Sequence, residues 1–210
     1  MKIVEPSFVI EDEIDGIKIL KKLESAARNC YKSENLVTED SYKAIIKRII
    51  DSHHDSVLEH ESITVRFICD RGISHELVRH RIASFSQEST RYANYSKDKF
   101  GNEISVILPA LIKSRPELFD SWLLACSLAE QSYMYMLDQG ISPQIARSVL
   151  PTCLKTEIVV TANVREWKHI FEQRTDKAAH PQMRQLMCPL LKEFRNLIPI
   201  IYDNIGTTDI

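Results

Sequence analysis

Apolar and polar residues alternate over residues 62–70, with Ile63, Val65 and Phe67 on one side and Thr64 and Arg66 on the other. Successive side chains leave a strand in opposite directions, so a period of two marks a strand with one buried face. A β-branched run at 157–162 predicts a second strand, and residues 2–10 and 104–108 predict two shorter ones. Elsewhere the apolar spacing is three and four, the period of a helix. Helices are expected over 17–31, over the face made by Tyr42, Ile45, Ile46, Ile49 and Ile50, and over 74–81 with Ile73, Leu77 and Val78 inward. Further helices are expected over 117–139, after Ser142-Pro143, over 164–173, and over 181–204 with kinks at Pro189 and Pro199. In the 117–139 helix, Phe119, Trp122, Leu123, Cys126, Ala129, Tyr133 and Met136 share one side, and Gly140 marks its stop. Thr38-Glu39-Asp40 reads as a helix cap, and 53–56, 92–103 and 175–180 read as irregular. No repeat, linker or low-complexity tract divides the 210 residues, so one α+β domain over 1–210 is expected.

The bulk numbers exclude several classes. A net charge of -2 offers no general attraction for nucleic acid or a membrane surface, so anion binding has to come from local clustering. The five glycines form neither GxGxxG nor GxxxxGK, which argues against a Rossmann or P-loop site. Five widely spaced cysteines without a CxxC pair suit reduced thiols in the cytoplasm. The start of the chain lacks the apolar run of a signal peptide, and no later run is long and uncharged enough to span a bilayer.

The chemistry concentrates in residues 79–91, which hold Arg79, His80, Arg81, Ser84, Ser86, Gln87, Ser89, Thr90 and Arg91. Three guanidinium forks and several hydroxyls suit a phosphate or a pyrimidine edge. The first part is expected to ride on the end of the 74–81 helix and the rest to leave it as a loop. Other candidates are Arg147 near a helix end, and Asn163-Val164-Arg165 with His169, Gln173 and Arg174. Arg165 and His169 stand four apart, on one helical face. His53-His54-Asp55 with Glu59-His60-Glu61 raises a metal reading similar to the HD-type phosphohydrolases, but that site needs an upstream histidine and His53 is the first here. A nucleic-acid-binding module built on the arginines is a further alternative, weakened by the lack of aromatic interleaving.

Arg79-His80-Arg81, two residues, Ser84, four residues, Ser89, one residue and Arg91 match the RHRxxSxxxxSxR pattern of the flavin-dependent thymidylate synthases. His54, Glu59-His60, Ala146-Arg147, Leu150-Pro151, Asn163-x-Arg165 and Arg174 follow in an order similar to that family from about residue 40 to residue 180. The resemblance implies a central, mostly antiparallel sheet packed with helices, and a homotetramer whose active sites draw on several subunits. It implies methylation of dUMP to dTMP, with carbon from methylenetetrahydrofolate and hydride from FAD that NADPH reduces. No metal, nucleic acid or membrane is implied.

Carried over by position, the resemblance assigns Ser56, Arg79, His80, Arg81, Gln87, Asn163, Val164, Arg165 and His169 to FAD. It assigns Glu76, Leu77, Val78, Arg79, Gln87, Glu88, Ser89, Thr90, Arg91, Arg147 and Arg174 to dUMP. Arg174, His54 and Ser89 are the catalytic candidates: Arg174 facing the uracil, and His54 beside the flavin where folate and nicotinamide dock.

Overall fold

A computed structural model describes residues 1–206. In chain order it contains β1 (Lys2–Val4), β2 (Ser7–Ile10), α1 (Gly16–Tyr31), α2 (Ser41–Asp51), β3 (Ser62–Asp70), α3 (Arg71–Leu77) and β4 (Ala83–Gln87). There follow β5 (Ser105–Ile107), α4 (Ala110–Lys113), α5 (Pro116–Asp138), α6 (Pro143–Ala146), β6 (Lys155–Asn163), α7 (Val164–Arg174) and α8 (Pro181–Leu197). Four strands form one sheet in the order β2-β3-β6-β4. On β3 and β6 Thr64 meets Thr161 and Arg66 faces Glu157, an order that runs antiparallel. The expected mixture of helices with an antiparallel sheet is therefore present. The expected single strand over 2–10 is instead two strands in different sheets, because Pro6 lacks the N–H that would continue the ladder. β1 pairs parallel with β5, Lys2 opposite Ser105.

Close contacts divide the chain into two compact units. The first comprises Met1–Ser7, Arg66–Arg79 and Phe85–Val159. Its core is Ala93, Tyr95, Ile104, Val106, Tyr133, Ala146 and Leu154. Tyr133 ties the segment after β4 to α5, since its hydroxyl accepts from Tyr95 N and donates to Ala93 O. Of the residues expected inward on α5, only Cys126 and Tyr133 are buried, while Leu124, Leu128 and Tyr135 stand exposed on the same helix. Gly140 closes α5 with φ +79, the left-handed turn expected of it.

The second unit comprises Phe8–Val65, His80–Ser84 and the chain from Val160 onward. Its core is an aromatic cluster of Trp167, Phe171, Phe194 and Tyr202, with neighbouring ring centroids 5.0–5.7 Å apart. Trp167 donates its indole N–H to Ile63 O at 2.9 Å, which anchors α7 on β3. α1 and α2 bury Leu20, Leu23, Ala27, Ile46 and Ile49. Gly16 opens α1 against the end of α8, where a Cβ would lie 1.8 Å from Leu197 O. α8 runs through Pro189 and stops at Leu197, short of the expected residue 204. Pro199 disfavours helical backbone one residue earlier, and Ile198 is indeed non-helical, with φ -129 and ψ 81.

Two strands pass straight into helices. Asp70 ends β3 and caps α3, its carboxylate accepting from Ile73 N at 2.8 Å. Asn163 ends β6 and caps α7 in the same way, accepting from Glu166 N at 2.8 Å.

Candidate active site

The motif at 79–91 does not have the local structure expected of it. α3 ends at Leu77, Val78 is exposed, and Arg79-His80-Arg81 lies in the turn beyond the helix rather than on it. The serine-rich half is strand β4, with Ser84 and Ser86 exposed and Ala83, Phe85 and Gln87 half-buried. Serine is a poor strand former, and its period of two is visible only when the edge pairing with β6 is known.

In the first unit the end of β4 is wired from below. Gln87 donates through Nε2 to Ser74 Oγ at 2.8 Å and Thr156 Oγ1 at 3.1 Å. Glu88 turns its carboxylate away from the strand end, to Lys155 at 3.2 Å and the Tyr95 hydroxyl at 3.0 Å. Lys155 also pairs with Glu157 at 2.6 Å, and these partners hold its ammonium above its ordinary pKa despite burial. Burial, followed by the Glu88 charge, raises the pKa of the Tyr95 phenol. Ser89 is exposed, and its carbonyl accepts from Tyr92 N and Ala93 N in a tight turn. Arg91 Nε donates to Gln144 Oε1 at 3.2 Å. Thr90 is buried, and its hydroxyl accepts from Arg147 Nη1 at 3.1 Å.

Arg147 and Thr90 line a cleft of about 300 Å³ with Arg71, His75 and Ser148. Among the described residues its lining includes no carboxylate. Arg71 Nη1 donates to Glu88 O at 3.3 Å and lies 3.5 Å from Thr156 Oγ1, both neutral acceptors. Sequence reasoning missed Arg71, His75 and Ser148. The first two are four apart on one face of α3, a relation hidden while the helix was expected to begin at residue 74. Glu76 is half-buried and Arg79 exposed on the same stretch, whereas Leu77 is core and can offer a ligand only its backbone.

In the second unit His80 is turned inward and is 4% exposed. Arg174, the last residue of α7, donates from Nε to His80 Nε2 at 3.0 Å. Arginine can only donate, so Nε2 carries the lone pair and the neutral ring holds its proton on Nδ1. Glu166 Oε1 faces Nδ1 at 3.5 Å, and His169 lies edge-on with ring centroids 5.8 Å apart. Burial and the Arg174 cation lower the His80 pKa to about 4, and burial raises that of Glu166. His80, Glu166 and His169 are close enough to share an ion, but the Arg174 N–H occupies the His80 lone pair and its charge opposes a second cation.

His169 also lines a cleft of about 350 Å³ with Asp55, Glu59, Ile82, Asn163, Arg165, Glu166, Lys168 and Glu172. Arg165 pairs with Glu59 and Lys168 with Asp55. Val164 is fully buried, its N–H donates to Glu61 O and its carbonyl accepts from the Tyr202 hydroxyl, so its side chain and both backbone polar groups are already engaged. Ser56 and Arg81 are exposed. The residues behind the metal reading have cationic or phenolic partners instead: Asp55 meets Lys168, Glu59 meets Arg165, Glu61 meets Lys22 and His54 meets Tyr31. His54 Nδ1 lies 3.1 Å from the Tyr31 hydroxyl at a separate cleft of about 390 Å³, lined also by Arg28, Leu36, Ile45, Arg48 and Ile49. Neither Tyr31 nor Glu166 was expected at a site.

Against known proteins, the family described as thymidylate synthase complementing protein matches residues 17–200. A flavin-dependent thymidylate synthase of Pyrococcus abyssi is 37% identical over 169 residues, covering 79% of this chain and 68% of that protein. One of Geobacter sulfurreducens is 35% identical over 188 residues, covering 86% and 79%. The fold is also that of the UMP/dUMP methylase PolB of Streptomyces cacaoi, solved with 5-Br dUMP bound, at a TM-score of 0.82, 22% identity, and 97% and 96% coverage. The motif residues and this match over most of the chain agree: the protein belongs to the flavin-dependent thymidylate synthase family.

Proposed function

We propose that this protein methylates dUMP to dTMP, with a bound flavin, FAD, as hydride carrier, methylenetetrahydrofolate as carbon donor and NADPH as reductant. The observation that carries the reading is family membership over residues 17–200, with Arg79, His80, Arg81, Ser84, Ser89 and Arg91 in their motif places. The carboxylate-free cleft of Arg71, His75, Thr90, Arg147 and Ser148 supports a phosphate there, since guanidinium and hydroxyl donors suit a dianion. Gln87, Ser89 and Arg91 hold the rest of the nucleotide, and the exposed Ser89 hydroxyl reaches it directly. Glu88 acts one layer below, through Lys155 and Tyr95.

C5 of uracil is a weak nucleophile, and loss of the N3 proton pushes electron density toward it. Arg174 faces the uracil and stabilises that anion by its fixed charge; it takes no proton itself. Ser56, Arg79, Arg81, Asn163, Arg165 and His169 hold the flavin. The support for this is that a dinucleotide brings two phosphates and Arg79 and Arg81 are exposed donors, whereas Arg165 is paired with Glu59 in a cleft that also holds Asp55, Glu166 and Glu172. When bound, the flavin supplies the hydride. The cleft that His169 lines has a volume of about 350 Å³, at the low end for a small-molecule site; the assembly proposed is a cytoplasmic homotetramer whose subunits each contribute part of the active site. His54 lies where folate and nicotinamide dock.

Purified protein should be yellow and should oxidise NADPH faster once dUMP is added, with dTMP as product when methylenetetrahydrofolate is present. Colourless protein that takes up no FAD would overturn the reading.

A further inference from the structure

Arg174 has a specific demand on its surroundings. A guanidinium is planar, so its orientation is set once the direction of the Nε–H is set. A contact that sets that direction is the 3.0 Å bond from the Nε–H to His80 Nε2. The imidazole is itself held: it is buried, Glu166 faces its Nδ1–H, and His169 packs against its edge. Glu166 in turn is positioned by the start of α7, where Asn163 Oδ1 accepts from its backbone N–H. Neither ring nitrogen of His80 is directed at solvent.

We propose that His80 is a positioning residue for Arg174: its neutral ring accepts the Arg174 Nε–H and orients the guanidinium plane, with Glu166 beside the ring on its Nδ1 side. The proposal rests on the reading that Arg174 faces the uracil. It separates the three residues of the Arg79-His80-Arg81 motif. Arg79 and Arg81 are exposed and can meet a ligand, whereas the imidazole of His80 serves a residue 94 positions on.

Two amide substitutions of equal polarity and different reach test this. In His80→Gln the side-chain oxygen reaches the place of Nε2 and can accept from Arg174. In His80→Asn it reaches only the place of Nδ1. Each variant, the wild type and Arg174→Ala would be purified as holoenzyme, and flavin content, KM for dUMP and kcat for dTMP formation measured. We expect flavin content to hold in all four. His80→Gln should lose no more than about tenfold in kcat and His80→Asn about a hundredfold or more, with KM for dUMP little changed, the pattern of an interaction made in the transition state. Equal kcat in the two amide variants, or loss of flavin from both, overturns the positioning role while Arg174→Ala still abolishes dTMP formation. Survival of activity in Arg174→Ala overturns the underlying assignment of Arg174 instead.

Discussion

The Arg147 guanidinium donates to the hydroxyl of Thr90 at 3.1 Å, although 57 residues separate the two in sequence. Thr90 is buried, so it serves as a fixed strut that holds the arginine at its cleft. Arg147→Ala should raise KM for dUMP by about tenfold to a hundredfold, the worth of a charge-assisted contact, and change kcat far less. Thr90→Val should raise KM by a smaller factor in the same direction. Steady-state kinetics against dUMP checks both, and a fall in kcat at unchanged KM would remove Arg147 from the phosphate.

Glu88 is expected to matter for stability more than for nucleotide contact. Its carboxylate and the Lys155 ammonium are each 19% exposed and meet at 3.2 Å. Glu88→Ala leaves Lys155 with Glu157 and removes the acceptor of the Tyr95 hydroxyl, a loss of about 1–3 kcal/mol. The midpoint of urea unfolding should fall accordingly, while Glu157→Ala, which removes a more exposed partner, should cost less.

The buried histidine gives the protein an acid-sensitive term of known sign. The His80 pKa falls from 6.5 to about 4 on folding. Between those values the unfolded chain binds the proton and the folded chain does not, so this contribution is complete above pH 6.5 and is lost as pH drops toward 4. The groups facing the ring, Arg174, Glu166 and His169, all come from α7. Urea midpoints taken at pH 7 and pH 5 should fall further for the wild type than for His80→Gln. Equal falls would mean that His80 is protonated in the folded state.

Gly16 admits no side chain without movement of α8, because a Cβ would overlap the backbone oxygen of Leu197. Gly16→Ala should destabilise by about 1–3 kcal/mol, in spite of the better helix propensity of alanine, and lower Tm by about 3–10 °C. An unchanged or higher Tm would show that the end of α8 yields at little cost.

How much of this could be read from sequence depended on whether the cause was local. β3 is local: its alternation gave Ser62–Asp70 with both ends correct. The helix before the motif was misplaced because Asp70 reads as the last residue of a strand, and its second role as a cap depends on Ile73 N. β4 was read as a loop because three of its five residues are serine or alanine, and what makes it a strand is its neighbour β6, about seventy residues away. The motif arginines were legible as anion ligands from their chemistry. The inward turn of His80 was not, since an imidazole between two arginines looks like a third ligand until Arg174 and Glu166 are brought to it. Glu88 misled in the same way, sharing a segment with Ser89 and Arg91 while its carboxylate faces Lys155.

The caps at Asp70 and Asn163 have a mechanical consequence. Each strand hands over to its helix with no intervening residue, so neither joint contains slack. The backbone that carries Arg71 and His75 continues directly from β3, and that of His169 and Arg174 from β6. A displacement of either helix would therefore be passed to its strand, because no loop residue stands between them to absorb it. Inserting a single residue at either joint should be far more damaging than the same insertion in the turns of residues 92–103, because it would detune side chains that the sheet now holds in register.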